Sequence, residues 1–201
     1  MSNDNQVGIA GIGRLHGDIL ADHVDSAGIG NSDGAITCRV FSSAGVFRAD
    51  GPISAKEVNI AGVFHGKGLV LAEKLVANGS INIENVLRAV DAEIGFERGS
   101  RIQQVEGERI RIHPLSFGRA QQWAKSLETA FNGALRNCIR IEKITGIEVQ
   151  VEQAEIGTIE GENVVVGPNC LVSHVVFTKS LKVHESSRVL SQEAKKPGQS
   201  F

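Results

Sequence analysis

Apolar and polar positions alternate along this chain in short runs, and from Val7 to about Val90 the runs recur every 17 residues. Five units align without insertion: VGIAGIGRLHGDILADH from Val7, VDSAGIGNSDGAITCRV from Val24, FSSAGVFRADGPISAKE from Phe41, VNIAGVFHGKGLVLAEK from Val58 and LVANGSINIENVLRAVD from Leu75. Three columns of the alignment are apolar. One holds Ile19, Ile36, Ile53, Val70 and Leu87, another Val7, Val24, Phe41, Val58 and Leu75, and a third Ile12, Ile29, Val46 and Val63. A fourth holds only small residues: Ala21, Cys38, Ala55, Ala72 and Ala89. Runs this short with alternating polarity suit strands, not helices.

Glycine punctuates the runs in two phases. Gly11, Gly28, Gly45, Gly62 and Gly79 form one column, and Gly17, Gly34, Gly51 and Gly68 another, with Asn85 in the fifth place. Glycine and asparagine tolerate positive φ, so both columns are expected to be tight structural corners, two per repeat. A strand-and-corner unit of this size cannot bury its own apolar face and must stack on copies of itself. The expected fold is therefore all-β, a parallel β-helix solenoid in which like residues lie about 4.8 Å apart in successive coils. Ile36, Ile53 and Val70 should then sit atop one another, and Phe47 should stack over Phe64 inside. A β-sandwich would give the strand spacing without this identity column by column.

Beyond Val90 the register drifts, but Ile94, Ile102, Val105, Ile110 and Ile112 still alternate with polar residues, so coils are expected over 7–113, with Pro114 ending the pattern. From 114 to 136 the period becomes helical. Phe117, Ala120, Ala124, Leu127 and Phe131 form one stripe behind a candidate N-cap at Ser116, which predicts one inserted amphipathic α-helix. Over 137–190 coils resume with a period of 15 or 16, from Ile144, Ile159 and Val175, the last with a small slip. The polar termini, 1–6 and 191–201, are expected to be disordered tails.

A net charge of −2 with interspersed signs gives no polyanion signal, and with one Trp and no Tyr there are few platforms for nucleic-acid bases. Cys38, Cys138 and Cys170 are scattered without CxxC spacing, which predicts neither disulfides nor a zinc site. MSNDNQ is too polar for a signal peptide and no apolar run reaches the length of a membrane span, so a cytoplasmic protein is expected. The Gly-rich run GIAGIGRLHG repeats in later coils with no helix behind it, so it reads as corners instead of a phosphate cradle. His16, His23 and His65 fall in different columns, which argues against a metal site. The nearest approach to a catalytic cluster is the corner column His16, Asp33, Asp50, Lys67 and Glu84, for which Asp-Gly turn chemistry is sufficient explanation. No catalytic, cofactor-binding or metal-ligating residue is assigned. The alternative reading is a β-helical enzyme of the acyltransferase or carbonic-anhydrase type, although its hexapeptide signature has only scattered matches here.

What remains is the solenoid and its two ends, where unpaired strand edges act as templates for further pairing. Coil one has no obvious polar capping helix and the last coil is apolar at Val175, Val176, Phe177, Leu181 and Val183, so Val7 and Ile9 at one end, and Phe177, Leu181 and Val183 at the other, are the candidate polymerisation interface. ISAKEVNIAGVFHGKGLVLAEKLVANGSI and IEGENVVVGPNCLVSHVVFTKSLKVHESSRV resemble the bactofilins, in particular the longer forms of spore-forming Gram-positive bacteria, over about Ile36 to Val189. The resemblance implies a right-handed β-helix that polymerises without nucleotide. It further implies a cytoskeletal scaffold for cell shape, envelope synthesis or motility, with copies of itself, other bactofilins and envelope or motility proteins as partners. It also implies that an aromatic residue near one end supports polymerisation, a role that falls to Phe177. The chain departs from the family in its helical insertion and in lacking an N-terminal membrane-binding peptide, so no direct membrane anchor is expected. A non-polymerising adaptor of other bactofilins is a further alternative.

Overall fold

The computed structural model describes residues 5–115 and 138–195. These form ten strands: β1 (Gln6–Leu15), β2 (Ile19–Ser32), β3 (Ile36–Ala49), β4 (Ile53–Gly66), β5 (Val70–Phe96), β6 (Arg101–Pro114), β7 (Ile139–Val151), β8 (Ala154–Val166), β9 (Leu171–Val183) and β10 (Arg188–Ala194). Every strand pairs in parallel with the next one in the chain, in the unbroken order β1 to β10. A parallel sheet whose strands follow chain order returns each strand one coil further along, which is a β-solenoid.

The register confirms the column reading. Val7 pairs with Val24, Ile36 with Ile53 and Ile53 with Val70, each 17 residues apart. Phe47 pairs with Phe64, and their rings stack with centroids 6.4 Å apart and an interplanar angle of 6°. Phe41 packs edge-on against Phe47 at 5.1 Å, completing a buried aromatic cluster. The drift after Val90 is one irregularity. The β5–β6 register shifts between Ile83 and Val86, around the expected corner at Asn85, where β5 runs straight on. β5 is longer than one coil, and the Glu97 amide donates to the Gly79 carbonyl at 2.7 Å, so the strand's end lies over its own middle. In the later coils Ile144 pairs with Ile159 and Ile159 with Val175, and the slip is a shift between Gly161 and Asn163.

Three sequence expectations are corrected. The Ile12 column does not point inward: Ile12 is 83% exposed, Ile29 45% and Val63 41%. The reason is the bend at the preceding glycine. Gly28, Gly45, Gly62 and Gly79 lie inside strands with φ between +112° and +137°, so alternation breaks there and the next inward column is Gly13, Gly30, Phe47, Phe64 and Ile81. In the second glycine column Gly17 has the expected positive φ, +71°, but its column-mates have a different cause. Gly34, Gly51 and Gly68 lie in the turns between strands without positive φ, but a Cβ at Gly51 would lie 2.3 Å from the Gly34 carbonyl oxygen one coil below. Close approach of stacked backbones, not left-handed conformation, excludes a side chain there. Finally, the tails expected over 191–201 and 1–6 are partly ordered, because Ser191–Ala194 belong to β10 and Gln6 opens β1.

The helix expected within 114–136 lies outside the described residues except for its first two positions. Of these, Pro114 closes β6.

Candidate functional site

The surface features to be weighed are the two ends of the stack and the charged columns along its sides. At the first end, β1 is paired among the described residues on one edge only, to β2. Ile9 is buried and Val7 is half-buried against the core, while Asn5 fastens the strand's start by donating its amide to Asp22 Oδ2 at 3.1 Å. At the second end, β10 covers only part of the coil beneath, pairing with Leu171–Phe177 of β9. Phe177 is therefore not at the end face. Ala194 lies over it, and the Lys195 amide donates to its carbonyl at 2.8 Å. Leu181, half-buried, and Val183, 42% exposed, lie beyond the reach of β10 and do form part of the open end.

The sequence reading ends its coils at residue 190 and does not separate β10 as a further strand, in which Val189 stacks on Val172 and Leu190 is 58% exposed. The signal was present: Ser187-Arg188-Val189 repeats Cys170-Leu171-Val172 at the 17-residue spacing. β10 also sets Gln192 and Glu193 over Val175 and Val176, so polar residues cover two positions expected to be apolar end surface.

The corner column becomes a chain of exposed pairs. His16 Nδ1 and Asp33 Oδ2 are 2.7 Å apart, Lys67 Nζ and Asp50 Oδ1 2.7 Å, and Glu84 pairs with His65 at 3.1 Å. The Gly17 amide, then His16, hold the Asp33 carboxyl below the usual carboxylate range, and the Lys67 ammonium does the same for Asp50. Each of these side chains meets a partner one coil away on an open surface, which suits a stacking ladder better than acid–base chemistry. A second ladder runs through a shallow groove of about 330 Å³, where Arg109 binds Asp91 through two nitrogens and holds that carboxyl low as well. Among the described residues no three His, Cys, Asp or Glu side chains come close enough to hold a metal ion. Burial pushes the half-buried Cys38 thiol up to about 11 and raises those of Cys138 and Cys170, the reverse of what activates a nucleophilic thiol. Among the described residues no helix is long and apolar enough to cross a membrane.

No family model, no curated protein and no solved structure matches this chain.

Proposed function

We propose that this chain is a bactofilin-like scaffold that assembles end to end without nucleotide and organises envelope, shape or motility machinery on its length. The main support is the pair of ends that are incompletely paired among the described residues: the columns run from β1 to β10, and β1, β10 and the part of β9 beyond β10 leave backbone donors and acceptors beside apolar residues such as Val7, Val189 and Val183. An edge of this kind is a template for another strand. Ion pairs between neighbouring coils, such as Lys67 with Asp50 and Arg140 with Glu155, line parts of the sides, whereas the ends carry the unpaired strand edges. Negative-stain microscopy and light scattering of the purified chain over a wide concentration range test the proposal. Filaments forming without added nucleotide are expected, and a protein that stays monomeric throughout overturns it.

One observation favours a second reading. Gln192 and Glu193 over Val175 and Val176 act as a partial polar cap, which fits an adaptor that docks on the ends of other bactofilin filaments and does not extend them. Single particles that bind such filaments, without filaments of the chain's own, would select it.

A further inference from the structure

One edge of the solenoid carries an apolar strip that the core does not use. The tripeptides Ala-Gly-Ile at 10–12 and 27–29, and Ala-Gly-Val at 44–46 and 61–63, stack in register over the first four coils. Their alanines are exposed, Ile12, Ile29 and Val63 are largely exposed too, and Val46 is half-buried. The glycines between leave no room for a side chain, since a Cβ at Gly45 would lie 2.3 Å from the Gly28 carbonyl oxygen, so the strip is flat. Four adjoining coils with neither a charge nor a hydrogen-bonding side chain here form the kind of patch that marks a contact site. The chain leaves and re-enters the coils at this same edge. Pro114 stacks on Phe96, and the amides of Leu115 and Glu97 donate to the carbonyls of Phe96 and Gly79 at 3.0 and 2.7 Å, so Leu115 stands in the column of Val63, three coils further along. On the return, Ile139 stands in the column of Phe64, Ile81 and Ser100, which puts Cys138, just before it, back at the Val63 column.

We propose that this strip is the docking site of the chain's own segment 116–137, laid along the edge toward β1. The sequence of that segment puts Phe117, Ala120, Ala124, Leu127 and Phe131 on one stripe at helical spacing, an apolar face to match the strip. The lengths agree as well. The stretch from Ser116 to Phe131 spans about 24 Å as a helix. Asn132-Gly133, a turn pair, then begins a return to Cys138 that covers about 20 Å when extended. Coils about 4.8 Å apart put Val63 about 14 Å, Val46 about 19 Å and Ile29 about 24 Å from Leu115. Leu127 therefore comes down beside Val46 and Phe131 near Ile29, with Ile12 out of reach. In the other direction the edge is built of Glu152-Gln153, Pro168-Asn169 and His184-Glu185-Ser186, which offer no matching strip.

Trp123 is the one tryptophan of the chain and falls at the margin of the segment's apolar stripe, which supplies the test. In the full chain with Cys38, Cys138 and Cys170 replaced by alanine, a nitroxide on Val63→Cys should quench most of the Trp123 fluorescence. The same label on Glu185→Cys, exposed and as many coils away in the other direction, should leave it unchanged. Adding Leu127→Ser and Phe131→Ser to the Val63→Cys chain should restore the emission, while the circular dichroism of the coils stays as it was. Equal quenching by both labels, no quenching from position 63, or quenching that survives the serine pair would each overturn the docking site. A labelled Val63→Cys chain that also carries Trp123→Phe, mixed with unlabelled chains, should quench nothing. Quenching in that mixture would mean that the strip takes up a second copy, and would overturn docking within the chain. The readings are made on dilute single chains, so they stand or fall independently of filament formation.

Discussion

Gly30→Ala is the most direct probe of the stacked interior. Gly30 is buried, its backbone does not have the positive φ that restricts other glycines, and it pairs with Phe47 one coil away. Taken alone the substitution would stabilise by about 0.4–1 kcal/mol, because alanine has less backbone freedom to lose. The added Cβ, however, would lie 2.6 Å from Phe47 Cδ2 and 2.5 Å from Ser26 Oγ. The hydroxyl can rotate away, but the ring cannot, because Phe64 stacks on it and Phe41 meets its edge. Overpacking of this kind costs about 1–3 kcal/mol, so a net loss of about 1–2 kcal/mol is expected. For a chain of this size that is a fall of roughly 2–8 °C in Tm. Phe47→Leu alone forfeits both ring contacts and some buried volume, about 2–3 kcal/mol. The double variant should be more stable than the sum of the two losses predicts, by at least about 0.5–1 kcal/mol, because leucine vacates the space the new methyl needs. Circular-dichroism melts of the four proteins close the cycle. Strict additivity would mean that the two positions do not touch, and the coil-over-coil register would be wrong.

Other outcomes follow from the same geometry. Gly79→Ala, with φ of +137° and its Cβ 1.9 Å from the Gly62 carbonyl oxygen, should cost at least about 2 kcal/mol or prevent folding, whereas Gly17→Asn, at φ +71° with nothing within 4 Å, should leave the melting temperature within about 2 °C. Ser26 Oγ is buried with no hydrogen-bond partner among the described residues, so Ser26→Ala should stabilise by about 1 kcal/mol, read as a rise of a few degrees in Tm. The carboxyls of Asp33, Asp50 and Asp91 titrate lower in the folded chain than in the unfolded one. Their contribution is therefore present above about pH 4 and lost as pH falls through the folded values. Melts between pH 7 and pH 2.5 should show an acid drop that shrinks in the Asp33→Asn, Asp50→Asn, Asp91→Asn triple variant, and an undiminished drop would assign the acid sensitivity elsewhere. Cys38, with its thiol raised to about 11, should alkylate much more slowly at pH 8 than a free cysteine and accelerate only as pH approaches 11. Fast labelling at pH 8 would contradict its half-buried place beside Ala21 and Ala55.

The 17-residue period, the strands, the parallel winding and the Phe47–Phe64 stack were all legible in the sequence. Stacking places chemically similar residues in register, so a repeat in one dimension already encodes the contacts between coils. Which way a column faces was not legible at the corners. Ile12 and Phe47 are both apolar and both sit in repeating columns, and only the left-handed bend at the glycine between strand segments turns the first outward and the second inward. Nor does sequence distinguish a glycine needed for its φ, such as Gly11, from one needed for lack of a side chain, such as Gly51, since the second reason exists only once another backbone lies against it. The ends were the least legible. Whether Phe177 or Val189 lies at the terminal face depends on where the last strand falls relative to the coil beneath. Two register shifts, at Ile83/Val86 and Gly161/Asn163, set that position, and the tertiary structure alone adds up their effect.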